Sequence, residues 1–200
     1  PKTIALAAGS FINAQVVFYI LIAFSIFYGT NEASLGLDRS MMLAAVLIAS
    51  VVAIPLLLLA GAYSDKRGRR GTYIAGAILA GIWGFVLFPL VDTGSFLWIT
   101  VAISVGMGSF ALQYGPQAAF FSELFTTKMR YSGVSMGYQI GAILGGAMAP
   151  VIATALLAQF NSSIPISIYI AISAVISIVC VSLLQETSDT DMVDAEAEGV

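Results

Sequence analysis

Histidine is absent from this chain, cysteine occurs once, and charged residues make up only 10% of its 200 positions. Without histidine, neither an imidazole metal site nor an imidazole proton relay can be built from these residues. The lone Cys180 rules out an intrachain disulfide, and its neighbours Ile178, Val179 and Val181 place it in apolar packing. A Ser/His/Asp set, a metal-ligand cluster and a phosphate-cradling glycine loop are also missing; Gly106-Met107-Gly108 sits inside an apolar run, where it reads as helix packing. An enzyme is therefore the least supported class, and no metal, cofactor or nucleic-acid partner is expected.

What the chain has in excess is oil. Hydrophobic residues make up 59% of it and the mean hydropathy is +0.96, whereas soluble domains carry about 25% charged residues. This is the composition of an integral membrane protein. The net charge of −3 comes from the end of the chain, where Glu186, Asp189, Asp191, Asp194, Glu196 and Glu198 stand without a basic partner. Residues 186–200 are expected to be a solvated acidic tail, disordered and on the cytoplasmic side. The chain starts at Pro1, and its first apolar run is too long for a signal peptide, so a start internal to a longer protein is expected.

A helix needs about 20 apolar residues to cross a bilayer. Six stretches qualify, at 4–28, 40–62, 72–91, 96–118, 131–158 and 164–184, and together they form one all-α bundle over residues 1–185. Ser163-Ile164-Pro165 reads as a capping hydroxyl and first-turn proline opening the last of them. Six spans put both ends on one side. That side receives Lys2, Lys66, Arg67, Arg69, Arg70, Lys128 and Arg130, and the other only Arg39. By the positive-inside bias the crowded side is the cytoplasm, which predicts a multi-pass protein of the cytoplasmic membrane with both ends of this chain inside. Pro55 and Pro150 fall within the second helix of each group of three, a faint echo of a three-plus-three inverted repeat.

The charged stretch Gly61-Ala62-Tyr63-Ser64-Asp65-Lys66-Arg67-Gly68-Arg69-Arg70-Gly71 reads as a loop between the second and third spans. Its spacing, Gly-x-x-x-Asp-x-x-Gly-Arg-Arg, is more ordered than a topology signal requires. It resembles the loop motif of the major facilitator superfamily, from whose commonest form Tyr63 and Lys66 depart. Downstream, Glu123-Leu124-Phe125-Thr126-Thr127-Lys128-Met129-Arg130-Tyr131-Ser132-Gly133 is similar to a second loop pattern, that of the metabolite:proton symporter family, with Thr126 where proline is usual. The resemblance implies the C-terminal six-helix half of a twelve-helix secondary transporter. Such a carrier works by alternating access, a proton gradient is its energy source, and the lipid bilayer, protons, a small polar metabolite and an N-terminal half are its partners. Gly61, Asp65, Gly68, Arg69 and Arg70 would then form a conformational latch across the cytoplasmic face, with Glu123 and Arg130 in the second loop.

Gly133, Gly137, Gly141 and Gly145 recur every fourth residue and Ala149 continues the row, a spacing that lets helices approach closely in lipid. Pro150 is expected to break the helix where the row ends. Gly76, Ala80 and Gly84 make a shorter row. Polar residues inside spans need a partner or a cavity. Asn13, Gln15 and Tyr19 stand out in the first span, and Gln113, Tyr114 and Gln117 in the fourth. Interhelical hydrogen bonding and substrate contact remain equal readings for each; by resemblance, the first and fourth helices line the pathway, making Gln15, Tyr19, Gln113, Tyr114 and Gln117 the candidates. No span carries a charge at its centre, so a proton carrier would have to lie in the other half. Organic acids and zwitterionic osmolytes are the substrates implied. A carrier without proton coupling and a self-standing six-helix interaction module are the alternatives.

Overall fold

In a computed structural model, residues 2–123 and 130–184 are described. The acidic tail, the Leu124–Met129 part of the second loop motif and the side chain of Arg130 lie outside the described residues. Among the described residues six helices are long and apolar enough to cross a membrane: α1 (Thr3–Thr30), α2 (Arg39–Arg67), α3 (Arg69–Asp92), α4 (Phe96–Glu123), α5 (Tyr131–Phe160) and α6 (Ile164–Ser182). No strand occurs among them.

The boundaries differ from the sequence reading in a way that matters. The 61–71 stretch is not a loop. α2 continues to Arg67 and α3 starts at Arg69, so Gly68 alone joins them, at φ 100° and ψ 136°. That backbone is open to glycine and strained for any residue with a Cβ. α4 likewise runs on to Glu123, carrying that carboxylate on a helix end.

Helix starts follow local chemistry. The Asp38 carboxylate caps α2 by accepting the Met41 N–H at 3.2 Å. At α6 the capping hydroxyl is that of Ser162, which accepts the Ile164 N–H at 3.2 Å; Ser163 contributes its carbonyl instead, to the N–H groups of Ile166 and Ser167. Pro150 does not break α5. The helix passes through it after a wider, π-type turn at Ala142–Ala147, which takes in Gly146, the residue whose carbonyl a proline four positions on would crowd and leave unbonded. A second π-type turn, Ile20–Phe24, lies in α1.

The helices pair in a pattern unchanged by exchanging the first three with the last three: α2 packs on α4 and α5 on α1, α3 on α4 and α6 on α1, and α3 on α6. This pairing fits a three-plus-three arrangement. The main core draws on all six helices, with Phe24, Phe88, Ile99 and Ile103 among its large members and small alanines from α2 and α5. A second cluster at the charged end is built on Phe11, Tyr73, Phe120 and Phe121.

In lipid there is little hydrophobic gain from joining helices, so close packing and polar contacts supply the specificity. The row Gly137, Gly141, Gly145 faces α1: a Cβ on Gly141 would stand 2.9 Å from the Ala8 carbonyl, and one on Gly145 2.6 Å from that of Ile12. Gly133 and Ala149 are buried as well. The shorter row divides, Gly76 lying against α4 and Gly84 against Ile170 of α6. Asn13 proves to be a seam residue. Its amide donates to the Ser173 hydroxyl at 2.8 Å, while its backbone N–H donates to Ser177 Oγ at 3.0 Å, joining α1 to α6. Each such bond contributes about 0.6–2 kcal/mol.

Candidate functional site

Two features converge on the α4 half of the bundle: a charged junction at one end and an uncharged pocket beside it. In the junction, Arg69 is the centre. Because a single glycine separates the helices, Asp65 on α2 and Arg69 on α3 remain four residues apart and in contact, Nη1 to Oδ1, at 2.8 Å. The second guanidinium nitrogen reaches Glu123 Oε1, at the end of α4, at 2.9 Å. The two pairs differ in solvation: the Asp65 side chain is 59% exposed, whereas those of Arg69 and Glu123 are 16% and 9% exposed.

Arg70 turns the other way and donates to the Ser182 carbonyl at 2.6 Å. That places a cation on the C-terminus of α6, where helix carbonyls carry partial negative charge. Adjacent basic residues thus bind different helices, and one end of α2, α3, α4 and α6 is drawn together. Just inside it, Gly61 meets Gly115: a Cβ on Gly115 would lie 2.9 Å from the Gly61 nitrogen and 2.9 Å from the Leu57 carbonyl. Here α2 and α4 touch backbone to backbone. Gly115 is the partner that explains Gly61.

The pocket, of about 290 Å³, lies between α1, α4 and α5 and is bounded by Phe11, Tyr114, Gln117, Ser135, Tyr138 and Gln139. It carries no formal charge. Gln117 is buried, at 4% exposure, and its side-chain oxygen has no hydrogen-bond partner among the described residues. An orphaned buried amide oxygen asks for a donor from a ligand or water. Phe11 and Tyr138 meet edge to face at 5.4 Å between centroids, giving the pocket an aromatic wall.

Of the five polar residues singled out as pathway candidates, only Tyr114 and Gln117 line this pocket. Gln113 is fully buried and packs on Gly76 of α3, its amide donating to the Ser109 carbonyl at 3.3 Å. Gln15 and Tyr19 lie against Gly145 and Gly146, at the π-type turn of α5. The pocket's α5 side, Ser135, Tyr138 and Gln139, was not assigned by the sequence reading. Its signal was available, since these residues recur at helical spacing beside the glycine row.

At the opposite end of the bundle from the Arg69 junction, the Tyr28 hydroxyl of α1 donates to Asp92 Oδ1 of α3 at 2.7 Å. This neutral-to-anionic bond ties the ends of two helices without a cation. Among the described residues no group of His, Cys, Asp and Glu could hold a metal ion.

The family model for the Major Facilitator Superfamily matches residues 4–199. The chain belongs to the major facilitator superfamily. A Haemophilus influenzae protein provisionally named for metabolite transport is 36% identical over 187 residues, which is 89% of this chain and 42% of that protein. The inner membrane metabolite transport protein YhjE of Escherichia coli K12 is 29% identical across 90% of this chain and 42% of its own length. The shikimate transporter of the same organism is 29% identical across 84% and 39%. This superfamily chain spans about two-fifths of the length of these relatives. The relatives are transporters by name, not enzymes.

Proposed function

We propose that the chain is the C-terminal six-helix half of a secondary transporter in the cytoplasmic membrane, moving a small polar metabolite by alternating access. The observation that carries the reading is the uncharged pocket between α1, α4 and α5, lined by Tyr114, Gln117, Ser135, Tyr138 and Gln139. Helices that swing past one another need surfaces without deep side-chain interlocking. The glycine row of α5 against α1 supplies one, and the π-type turns in both helices place irregular backbone beside it.

The pocket offers aromatic faces, amides and a hydroxyl, which suit a zwitterion or an organic acid whose countercharge comes from the other half. Names among the relatives span that range: shikimate in Escherichia coli, and ectoine and proline in Corynebacterium glutamicum. Cargo carrying hydrogen-bonding groups would find partners among the Gln117 and Gln139 amides and the Ser135 hydroxyl. Proton coupling is part of the proposal, with its carrier outside this chain, because a charge at mid-membrane is costly and kept only for use. That part fails if neutralising Asp65 or Glu123 removes coupling but leaves substrate exchange intact.

The latch role assigned to Asp65, Arg69 and Arg70 keeps its place but gains internal partners. Arg69 joins the α2–α3 corner to Glu123 of α4, so its pairs brace one bundle, leaving the well-solvated Asp65 as the member free to exchange partners as the two bundles rock. The test is uptake by the full-length protein in proteoliposomes, screened over organic acids and zwitterions with and without an inward proton gradient. One class should be taken up, more strongly with the gradient, and Gln117→Ala should raise its KM while leaving protein levels unchanged. Absence of uptake for every class, or an unaltered KM in the variant, overturns the reading.

A further inference from the structure

A larger groove lies on the other side of α4 from the Tyr114 and Gln117 pocket. It measures about 790 Å³, and its walls include Val52 and Leu56 of α2, with Gly108 and Leu112 of α4 below. At 100° per residue, Gly108 and Leu112 project from the face of α4 roughly opposite to Tyr114 and Gln117, so this groove is separate from the proposed cargo path. Its lining is aliphatic almost throughout. Ser104 is one polar interruption, and at one end Tyr63 and Lys66 complete the wall.

These are the two residues of the 61–71 stretch that depart from the commonest form of the family motif, although Lys66 keeps its charge pattern, and the ion pairs of the junction leave them unused. Asp65 and Glu123, the described carboxylates at this end, are both held by Arg69, and no ion pair of Lys66 is seen among the described residues. Lys66 is exposed at the helix end, where ammonium groups sit at the level of lipid headgroups. From Val52 to Lys66 the helical rise of 1.5 Å per residue gives about 21 Å. One leaflet of a hydrocarbon core about 30 Å thick is about 15 Å deep. A groove that starts at an interfacial cation and runs the depth of one leaflet has the dimensions of an extended acyl chain.

We propose that this groove seats one acyl chain of an anionic glycerophospholipid, with the phosphodiester and its negative headgroup held by Lys66 and the Tyr63 hydroxyl at the rim. The occupant is a lipid of the leaflet on the side of the α2–α3 corner. A zwitterionic lipid fills the groove equally well but carries no net charge to match Lys66, so selectivity resides in the headgroup and occupancy in the chain. Gly108 is the position that tests occupancy: a Cβ there would meet only Leu56, at 3.7 Å, so the backbone tolerates a side chain that then projects into the groove.

The experiment is photocrosslinking of the full-length protein in phosphatidylcholine vesicles containing a trace of diazirine-labelled phosphatidylglycerol or diazirine-labelled phosphatidylcholine, with crosslinked positions mapped by mass spectrometry. In the parent protein, crosslinks to groove residues should favour phosphatidylglycerol about fivefold at low salt, the ratio set by one basic residue near the surface. Lys66→Gln should bring the ratio to about one and Lys66→Arg should restore it. Gly108→Phe should remove groove crosslinks for both lipids while those elsewhere persist; Ser104→Phe, also on the groove wall, serves if that variant fails to reach the membrane. Equal crosslinking of the two lipids in the parent protein, a preference surviving Lys66→Gln, or groove crosslinks unaffected by the filling variants would each overturn the proposal.

Discussion

Removing Arg69 should damage the fold far more than removing Asp65, although both belong to the same charged junction. The Arg69–Glu123 pair is nearly dry, with side chains 16% and 9% exposed. Arg69→Ala strands the Glu123 carboxylate in that environment, and breaking such a pair from one side costs about 3–5 kcal/mol. The Arg69–Asp65 pair has a partner that is 59% exposed, and solvent screening limits such a contact to about 1 kcal/mol or less. Glu123→Gln falls between, because the new amide oxygen still accepts from the guanidinium. Replacing both members of the dry pair, as in Arg69→Met with Glu123→Leu, removes the stranded charge and should recover much of what Arg69→Ala loses. The assay is thermal stability of purified protein in detergent, followed by monodisperse recovery after heating, with uptake measured in parallel. The stability order should run Asp65→Asn, Glu123→Gln, Arg69→Ala from mildest to most severe, with the double variant well above Arg69→Ala. Asp65→Asn should nonetheless slow transport severely at normal expression. Loss of stability in Asp65→Asn equal to that in Arg69→Ala, or unchanged uptake in Asp65→Asn, refutes the division of labour between a brace and a latch.

Two further outcomes follow from local geometry. Gly145→Ala should cost both stability and transport, since its Cβ would lie 2.6 Å from the Ile12 carbonyl, whereas Gly71→Ala, with nothing within 4 Å of the new atom, should stabilise slightly, by about 0.4–1 kcal/mol from reduced freedom of the unfolded chain; heating curves for the two variants check this. The Ser40 hydroxyl, with the Met41 N–H beside it, holds the Asp38 carboxyl below its usual value. A lowered folded-state pKa means that its support for the α2 start is present at and above the ordinary carboxylate range and is lost as pH falls through the folded value. Carboxyl NMR titration should find the Asp38 midpoint below about 3.9, moving upward in Ser40→Ala.

Six spans were legible in the sequence because twenty-residue apolar runs have few other uses. Their ends were less so. Gly61, Gly68 and Gly71 within a run of charges suggested a loop, yet Gly61 and Gly71 are helical and only Gly68 takes a positive φ. Glycine serves close approach as often as it serves turns, and which role applies depends on a partner elsewhere in the chain, here Gly115. The candidate pathway residues were grouped by the span that holds them. Packing sorted them by direction instead: Gln113 and Tyr114 are consecutive, but one step of 100° sends the first toward α3 and the second toward the α5 pocket. Tyr138 and Gln139 recur at helical spacing with Ser135, but the glycines around them mark only the face toward α1, and that spacing does not say which helix the neighbouring face meets. Similarly, the sequence left Asn13 open between an interhelical bond and a cavity, and Ser173 and Ser177 decide for the bond; a partner more than 150 positions away leaves no local trace.

Passage of cargo through the pocket of Tyr114, Gln117 and Tyr138 can be measured directly. Ser135 lines the same pocket, and Cys180 is the chain's only cysteine. Ser135→Cys on a Cys180→Ser background, with any cysteines elsewhere in the full-length protein replaced, provides a single reporter for a water-borne thiol reagent. The predicted result is labelling in reconstituted membranes that the transported substrate slows in proportion to its occupancy, and that a non-transported analogue does not. Labelling indifferent to a substrate that the same preparation demonstrably transports would contradict the central claim.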